Sequence, residues 1–331
     1  MPEPPLLQVR ELTVGYHGAN GRLRAVDKID LQLDVRECLG LVGESGSGKS
    51  QLLLALLGLC DAQARLSGSI RYRGEELLGI SRKRLAAIRG RRIALVFQDA
   101  ASALNPYLSI ATQLTEGARW HLGLGRREAL TRAHRLLATV QIDDVALRLK
   151  QYPHELSGGM RQRVVIAQAL MCDPEILLLD EPTTALDVTV QAQVLELLRV
   201  VRERTGVATL FVTHDLGVLA SIAERVAVMY AGRIIEQAPV AELYAAPRHP
   251  YTAGLLRSLP RLEGPIPARL PAIPGHPPDL AKLTDACAFA VRCPLRHDRC
   301  SLAPNLTAIA VAHQVACHHQ GLAGDALKAW S

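Results

Sequence analysis

Aromatic residues are scarce in this 331-residue chain, at 4%, too few for a platform that stacks bases along a nucleic acid. No stretch holds the eighteen or so unbroken apolar residues that a membrane span needs; the longest candidate, residues 52–60, is half that length. The opening MPEPPLLQVREL has no basic segment followed by an apolar one, so no secretory leader is expected. Charge of one sign is not in large excess: 38 Lys and Arg against 32 Asp and Glu leave a formal +6. That surplus suits phosphates or an anionic surface without choosing between them. With 49% hydrophobic and 21% charged residues, the chain can bury a core and is not a disordered tail. These absences predict a soluble, cytosolic protein.

Strand and helix patterns alternate as far as about residue 235, which predicts an α/β fold built on a largely parallel sheet. Residues 38–42, 176–179 and 208–212 are short apolar runs, each followed at once by polar residues. That is where open α/β sheets place their ligands. From Pro106 to Leu147 the spacing of Leu114, Ala118, Leu122, Leu130, Leu136, Leu137 and Val140 is helical, predicting a helical insertion. Residues 260–278 carry seven of the 19 prolines, predicting an extended connector before a compact tail.

Gly43-Glu44-Ser45-Gly46-Ser47-Gly48-Lys49-Ser50 follows an apolar run and precedes a helical one. Glycines let a loop curl until several N–H groups converge on phosphate oxygens, and the helix start adds partial positive charge. Lys49 is expected on the β- and γ-phosphates and Ser50 on Mg²⁺. A triphosphate site also needs an acidic element, and Ile176-Leu177-Leu178-Leu179-Asp180-Glu181 supplies one. Asp180 is expected in the Mg²⁺ shell and Glu181 beside the attacking water.

Leu156-Ser157-Gly158-Gly159-Met160-Arg161-Gln162-Arg163 lies shortly before that second element and resembles the signature motif of ABC-transporter ATPases. The resemblance spans nearly the whole chain. Gln98 is similar to the Q-loop glutamine, Asp187 to the D-loop aspartate, His214 to the switch histidine, and Tyr16 to the aromatic residue that stacks on adenine. Gln51 stands where Ser or Thr often follows the phosphate loop, and Arg36 where Gly is usual. The resemblance implies a P-loop ABC ATPase core with an antiparallel β edge and a helical subdomain at about 100–160, within a domain spanning 1–259. It also implies that Ser157, Gly158 and Gly159 close over ATP bound by a partner subunit.

His249-Pro250-Tyr251-Thr252 and the stretch Ala227-Val228-Met229-Tyr230-Ala231-Gly232-Arg233 resemble the dipeptide/oligopeptide/nickel importer group. That resemblance implies a peripheral ATPase on the cytoplasmic face of the inner membrane. Its partners would be a second, related ATPase subunit, two transmembrane permease subunits and an extracytoplasmic substrate-binding protein, with no nucleic acid. Peptide is the expected cargo, a nickel chelate or metallophore the alternative, and a non-transport ABC ATPase a more distant one. Residues 260–331 resemble the group's C-terminal extension, whose cysteines, here Cys287, Cys293, Cys300 and Cys317, are implied to hold a [4Fe–4S] cluster. The spacing lacks the tight C-x2-C pairs of zinc ribbons. Zinc, with nearby histidines, and four unligated thiols remain open readings.

Overall fold

The computed structural model describes residues 4–18, 21–184, 186–259 and 272–319. Ala185 of the D-loop, most of the proline-rich connector and the last twelve residues lie outside them. The described residues form two compact units: one combines those within 1–6, 33–38 and 79–212, the other those within 7–32, 39–78 and 213–331.

In the first unit, strands Ile93–Val96, Ile176–Asp180 and Ala208–Thr213 pair side by side in parallel. Ile176–Asp180 and Ala208–Thr213 are buried along their whole length, as strands covered on both faces must be. The expected helical insertion is present as helices Ile110–Leu122, Arg126–Thr139 and Val145–Arg148. Helix Gly158–Leu170 follows, then helix Val188–Thr205. Arg36, which replaces the usual glycine, takes a left-handed backbone at φ 65°, the conformation glycine adopts without strain.

In the second unit, strand Cys38–Val42 runs parallel to Arg225–Tyr230, which pairs antiparallel with Arg233–Pro239. The order continues through Gln314–Val315 to Thr307–Ala308, so two short strands of the tail extend this sheet. A separate antiparallel sheet joins Gly21–Leu33, Leu7–Gly18, Arg65–Tyr72 and Glu75–Glu76 in that order. Helices Lys49–Leu56, Leu216–Ile222, Val240–Ala245 and Pro250–Arg257 pack with these strands. Among the described residues no helix is long and apolar enough to cross a membrane.

Candidate functional site

Loop 43–50 leads from the buried strand Cys38–Val42 into helix Lys49–Leu56. Gly48 caps that helix with φ 103°, and a Cβ there would sit 2.1 Å from the Ala25 carbonyl oxygen. No L side chain is accommodated at that point. Lys49 is buried, its Nζ donating to the carbonyls of Gly43 and Glu44 at 2.8 and 3.0 Å. The Ser47 hydroxyl is also buried and finds no protein partner. A buried ammonium on a curled backbone beside an unsatisfied hydroxyl fits a phosphate chain. Ser45, Gly46 and Ser50 are exposed along the loop.

Tyr16 is half-buried, and its hydroxyl donates to Gln51 Oε1 at 2.6 Å. The residue that departs from the usual Ser or Thr therefore ties the candidate adenine-stacking ring to the loop's own helix. Burial, with the nearby Cys60 and Asp61 adding to it, raises the Tyr16 pKa and keeps the ring neutral.

Strand Ile176–Asp180 ends in buried Asp180, and Glu181 follows with a left-handed backbone at φ 46°. Such a conformation costs a non-glycine residue about 1 kcal/mol; here the Glu181 N–H donates to the Val212 carbonyl at 2.9 Å. Its carboxylate Oε2 accepts from Thr184 Oγ1 at 2.9 Å and from Gln98 Nε2 at 3.4 Å. The structure thus brings the Q-loop glutamine and the second carboxylate together within one unit. His214 is exposed just past strand Ala208–Thr213, and Asp215 after it caps helix Leu216–Ile222 by accepting from Gly217 N–H.

The signature residues open a helix. Ser157 is the N-cap, with its hydroxyl accepting from Met160 N–H, and the helix already begins at Gly158. Gly158 and Gly159 are the first helical turn, because the serine cap starts the helix ahead of the apolar run. A Cβ on Gly159 would meet Val190 Cγ1 at 2.7 Å, so this glycine lets two helices approach. Asp187 caps helix Val188–Thr205 through Val190 N–H at 2.9 Å. Ser157 and Asp187 share the wall of one cavity of about 390 Å³ with Gly158, Gly159 and Met160, while Leu156 is buried behind them. Arg163, whose role the sequence left unassigned, braces this cavity. Its guanidinium donates to the carbonyls of Val140 and Gln141 and to Gln193 Oε1.

The tail is held by groups the motif reading did not single out. Buried Glu236 accepts from the N–H groups of Arg248 and His249 and lies 2.8 Å from His313 Nε2. Phe289 packs against Tyr230, Tyr251 and His249. Of the tail thiols, burial pushes Cys293 up to about 12 and Cys317 to about 11, their neighbouring thiols adding to the effect; Cys287 is raised for the same reasons. The four thiols therefore lie within electrostatic reach of one another. Thiolate is the form a metal takes, and among the described residues no three His, Cys, Asp or Glu side chains form a group able to hold an ion. The expected [4Fe–4S] cluster, or zinc, is not supported by this arrangement: the donor type suits either, the placement does not.

A phosphate loop after a buried strand, a carboxylate pair closing a parallel strand and a serine-capped double glycine on a third element together define an ATP-binding cassette ATPase. The ABC transporter family model matches residues 26–184, and the model of the oligopeptide/dipeptide transporter C-terminal region matches residues 235–300. The chain is similar to a peptide import ATP-binding protein of Brucella melitensis, 50% identical over 297 residues and 89% of each chain. It is 43% identical to the oligopeptide transport ATP-binding protein OppD of Salmonella typhimurium over 96% of this chain and 95% of that one. Among solved structures, a dimeric ATP-binding cassette in a post-hydrolysis state bound to ADP and Pi shares a TM-score of 0.64 and 26% identity, covering 71% of this chain and 98% of that one. CbiO1 of Clostridium perfringens, part of an ABC transporter complex, gives 0.64 and 29% over 73% and 92%. The chain belongs to the ABC transporter ATPases, in the group that carries the oligopeptide/dipeptide transporter C-terminal region. ATPases of this family dimerise and work with membrane permeases from the cytoplasmic side.

Proposed function

We propose that this protein is the ATP-hydrolysing subunit of an importer that drives uptake of dipeptides or oligopeptides. The observation that carries the reading is the buried Lys49 on a curled, glycine-lined loop, joined in one chain to a match for the peptide-transporter C-terminal region. Tyr16 stacks on the adenine, and the amides of residues 43–51 enclose the phosphates. On binding, Lys49 exchanges its two loop carbonyls for the β- and γ-phosphate oxygens. Ser50, Gln98 and Asp180 would hold the Mg²⁺ that accompanies ATP, which would offset the charge of the phosphates.

Glu181 takes a proton from the attacking water. Its links to Gln98 and Thr184 support that role, because both donors steady the carboxylate. His214 contacts the γ-phosphate. Ser157, Gly158, Gly159 and Met160 face ATP held by the opposing ATPase subunit, and Asp187 lines the same junction. The cap bond to Met160 leaves other first-turn N–H groups of that helix available to an anion. Closure on ATP and opening after hydrolysis pull on the permeases. The opposing ATPase is a related, non-identical subunit, and an extracytoplasmic binding protein delivers the peptide. Residues 1–259 form the ATPase domain and 260–331 its extension.

The test is the assembled importer, reconstituted in vesicles with its permeases and binding protein. Peptides should stimulate ATP hydrolysis and be taken up with it. Stimulation by nickel chelates and not by any peptide would overturn the cargo assignment.

A further inference from the structure

Arg292 lies in the tail, next to Cys293, yet it reaches the phosphate loop. Its Nη1 and Nη2 donate to Glu44 Oε2 and Oε1 at 2.8 and 3.0 Å, a two-pronged ion pair. Nη1 also donates to the Tyr230 hydroxyl at 3.2 Å, Nε to the Pro274 carbonyl at 2.9 Å, and Nη2 to the Ile273 carbonyl at 3.4 Å. A guanidinium has five N–H groups, and five acceptors meet them. The side chain is only 6% exposed, and its carbon lies 5.8 and 6.0 Å from the rings of Tyr230 and Phe289. A fork so fully engaged does not turn to follow its partner; it holds the partner still.

That partner is the second residue of the phosphate loop, and each of its polar groups is held by a different element. The carboxylate goes to Arg292, the N–H donates to the Tyr251 hydroxyl at 3.0 Å, and the carbonyl accepts from Lys49 at 3.0 Å. Tyr251 and Tyr230 pack with tilted rings, centroids 4.6 Å apart, and tail residue Phe289 closes on both. A carboxylate on a loop built to receive a triphosphate repels the ligand unless a cation cancels it.

We propose that Arg292 is a positioning residue of the nucleotide site: it cancels the charge of Glu44 and fixes the loop's entry, so that docking of the C-terminal extension sets the affinity for ATP. This rests on the reading of residues 43–50 as the phosphate loop. Loss of Arg292 leaves a bare carboxylate beside the phosphates and a looser loop, so ATP binding weakens while the chemistry at Glu181 does not change.

The test is fluorescent mant-ATP titration of the full chain, with KM and kcat measured on the assembled importer. Arg292→Ala should weaken mant-ATP binding and raise KM about tenfold or more, with kcat within about twofold of the parent. Arg292→Lys keeps the charge without the fork and should fall between. Glu44→Gln combined with Arg292→Ala should recover most of the affinity, because no charge is then left uncancelled. If Arg292 merely fastens the tail, that double variant stays as weak as Arg292→Ala, and the proposal is overturned. It is overturned equally if Arg292→Ala binds as the parent does. Lys49→Ala in the same titration separates the two readings. Unchanged affinity there sinks the phosphate-loop assignment itself, whereas lost affinity there with none lost in Arg292→Ala sinks only the role of Arg292.

Discussion

Two glycine-bearing helix starts in this chain look alike in sequence and differ in what they can hold. Loop 43–50 buries a lysine and a serine hydroxyl behind its curl and is anchored from Tyr251 and Arg292. The start of helix Gly158–Leu170 carries no lysine, faces an open cavity and satisfies one N–H with its own Ser157. A helix terminus attracts an anion weakly by itself. In the proposed reading, cation, burial and backbone convergence make the first a binding site in one chain. On the second's cavity wall the guanidinium of Arg163 is engaged by the carbonyls of Val140 and Gln141, and in the same proposed reading this start closes on ligand that another subunit already holds.

The sharpest way to break this contrast is Lys49→Ala. It should lower nucleotide affinity of the isolated chain by about a hundredfold or more, since a buried ammonium on a triphosphate is a charge-assisted contact. Equal loss from a change in the signature helix would erase the distinction. Ser157→Ala should leave mant-ATP binding by the isolated chain as it was, yet reduce hydrolysis by the assembled importer about tenfold. It should also cost about 1 kcal/mol of stability through the lost cap, readable in urea unfolding.

A smaller effect sharpens the account of how the loop is supported. His249 is buried wholly against Phe289, and burial drives its pKa from 6.5 down to about 4, nearby Glu236 only partly opposing the shift. The unfolded chain gains this proton near pH 6.5 and the folded one only near 4, so the unfolded form binds more protons in between. Stability from this group is complete above about pH 6.5 and falls by up to about 3 kcal/mol as pH drops toward 4. Urea midpoints at pH 7 and pH 5 should differ accordingly, and His249→Gln should flatten that slope. An equal slope in the variant would assign it elsewhere.

Much of this was legible in the chain and some was not, for physical reasons. Strands Ile176–Asp180 and Ala208–Thr213 are covered on both faces, so they read as unbroken apolar runs. Strand Arg65–Tyr72 mixes exposed and buried positions, and no apolar run marks it. Loop 43–50 was legible because glycine, lysine and serine are each demanded at fixed spacing by one local turn. The start of helix Gly158–Leu170 is less plain in the sequence, because the apolar run begins at Val164 and the serine cap acts earlier. The Arg292–Glu44 pair spans 248 residues, and no local pattern announces it. The tail cysteines drew attention as metal ligands, whereas Phe289, Arg292 and the His313–Glu236 contact are what join the extension to the rest of its unit.

The most direct measurement is cross-linking in the assembled importer carrying Glu181→Gln, so that bound ATP is not consumed. A cysteine placed at Ser157 and another in the phosphate loop of the opposing ATPase should form a disulfide with ATP and Mg²⁺, and not with ADP or without nucleotide. A cross-link that forms equally in all three conditions, or in none, would contradict the account that two subunits close on ATP from opposite sides.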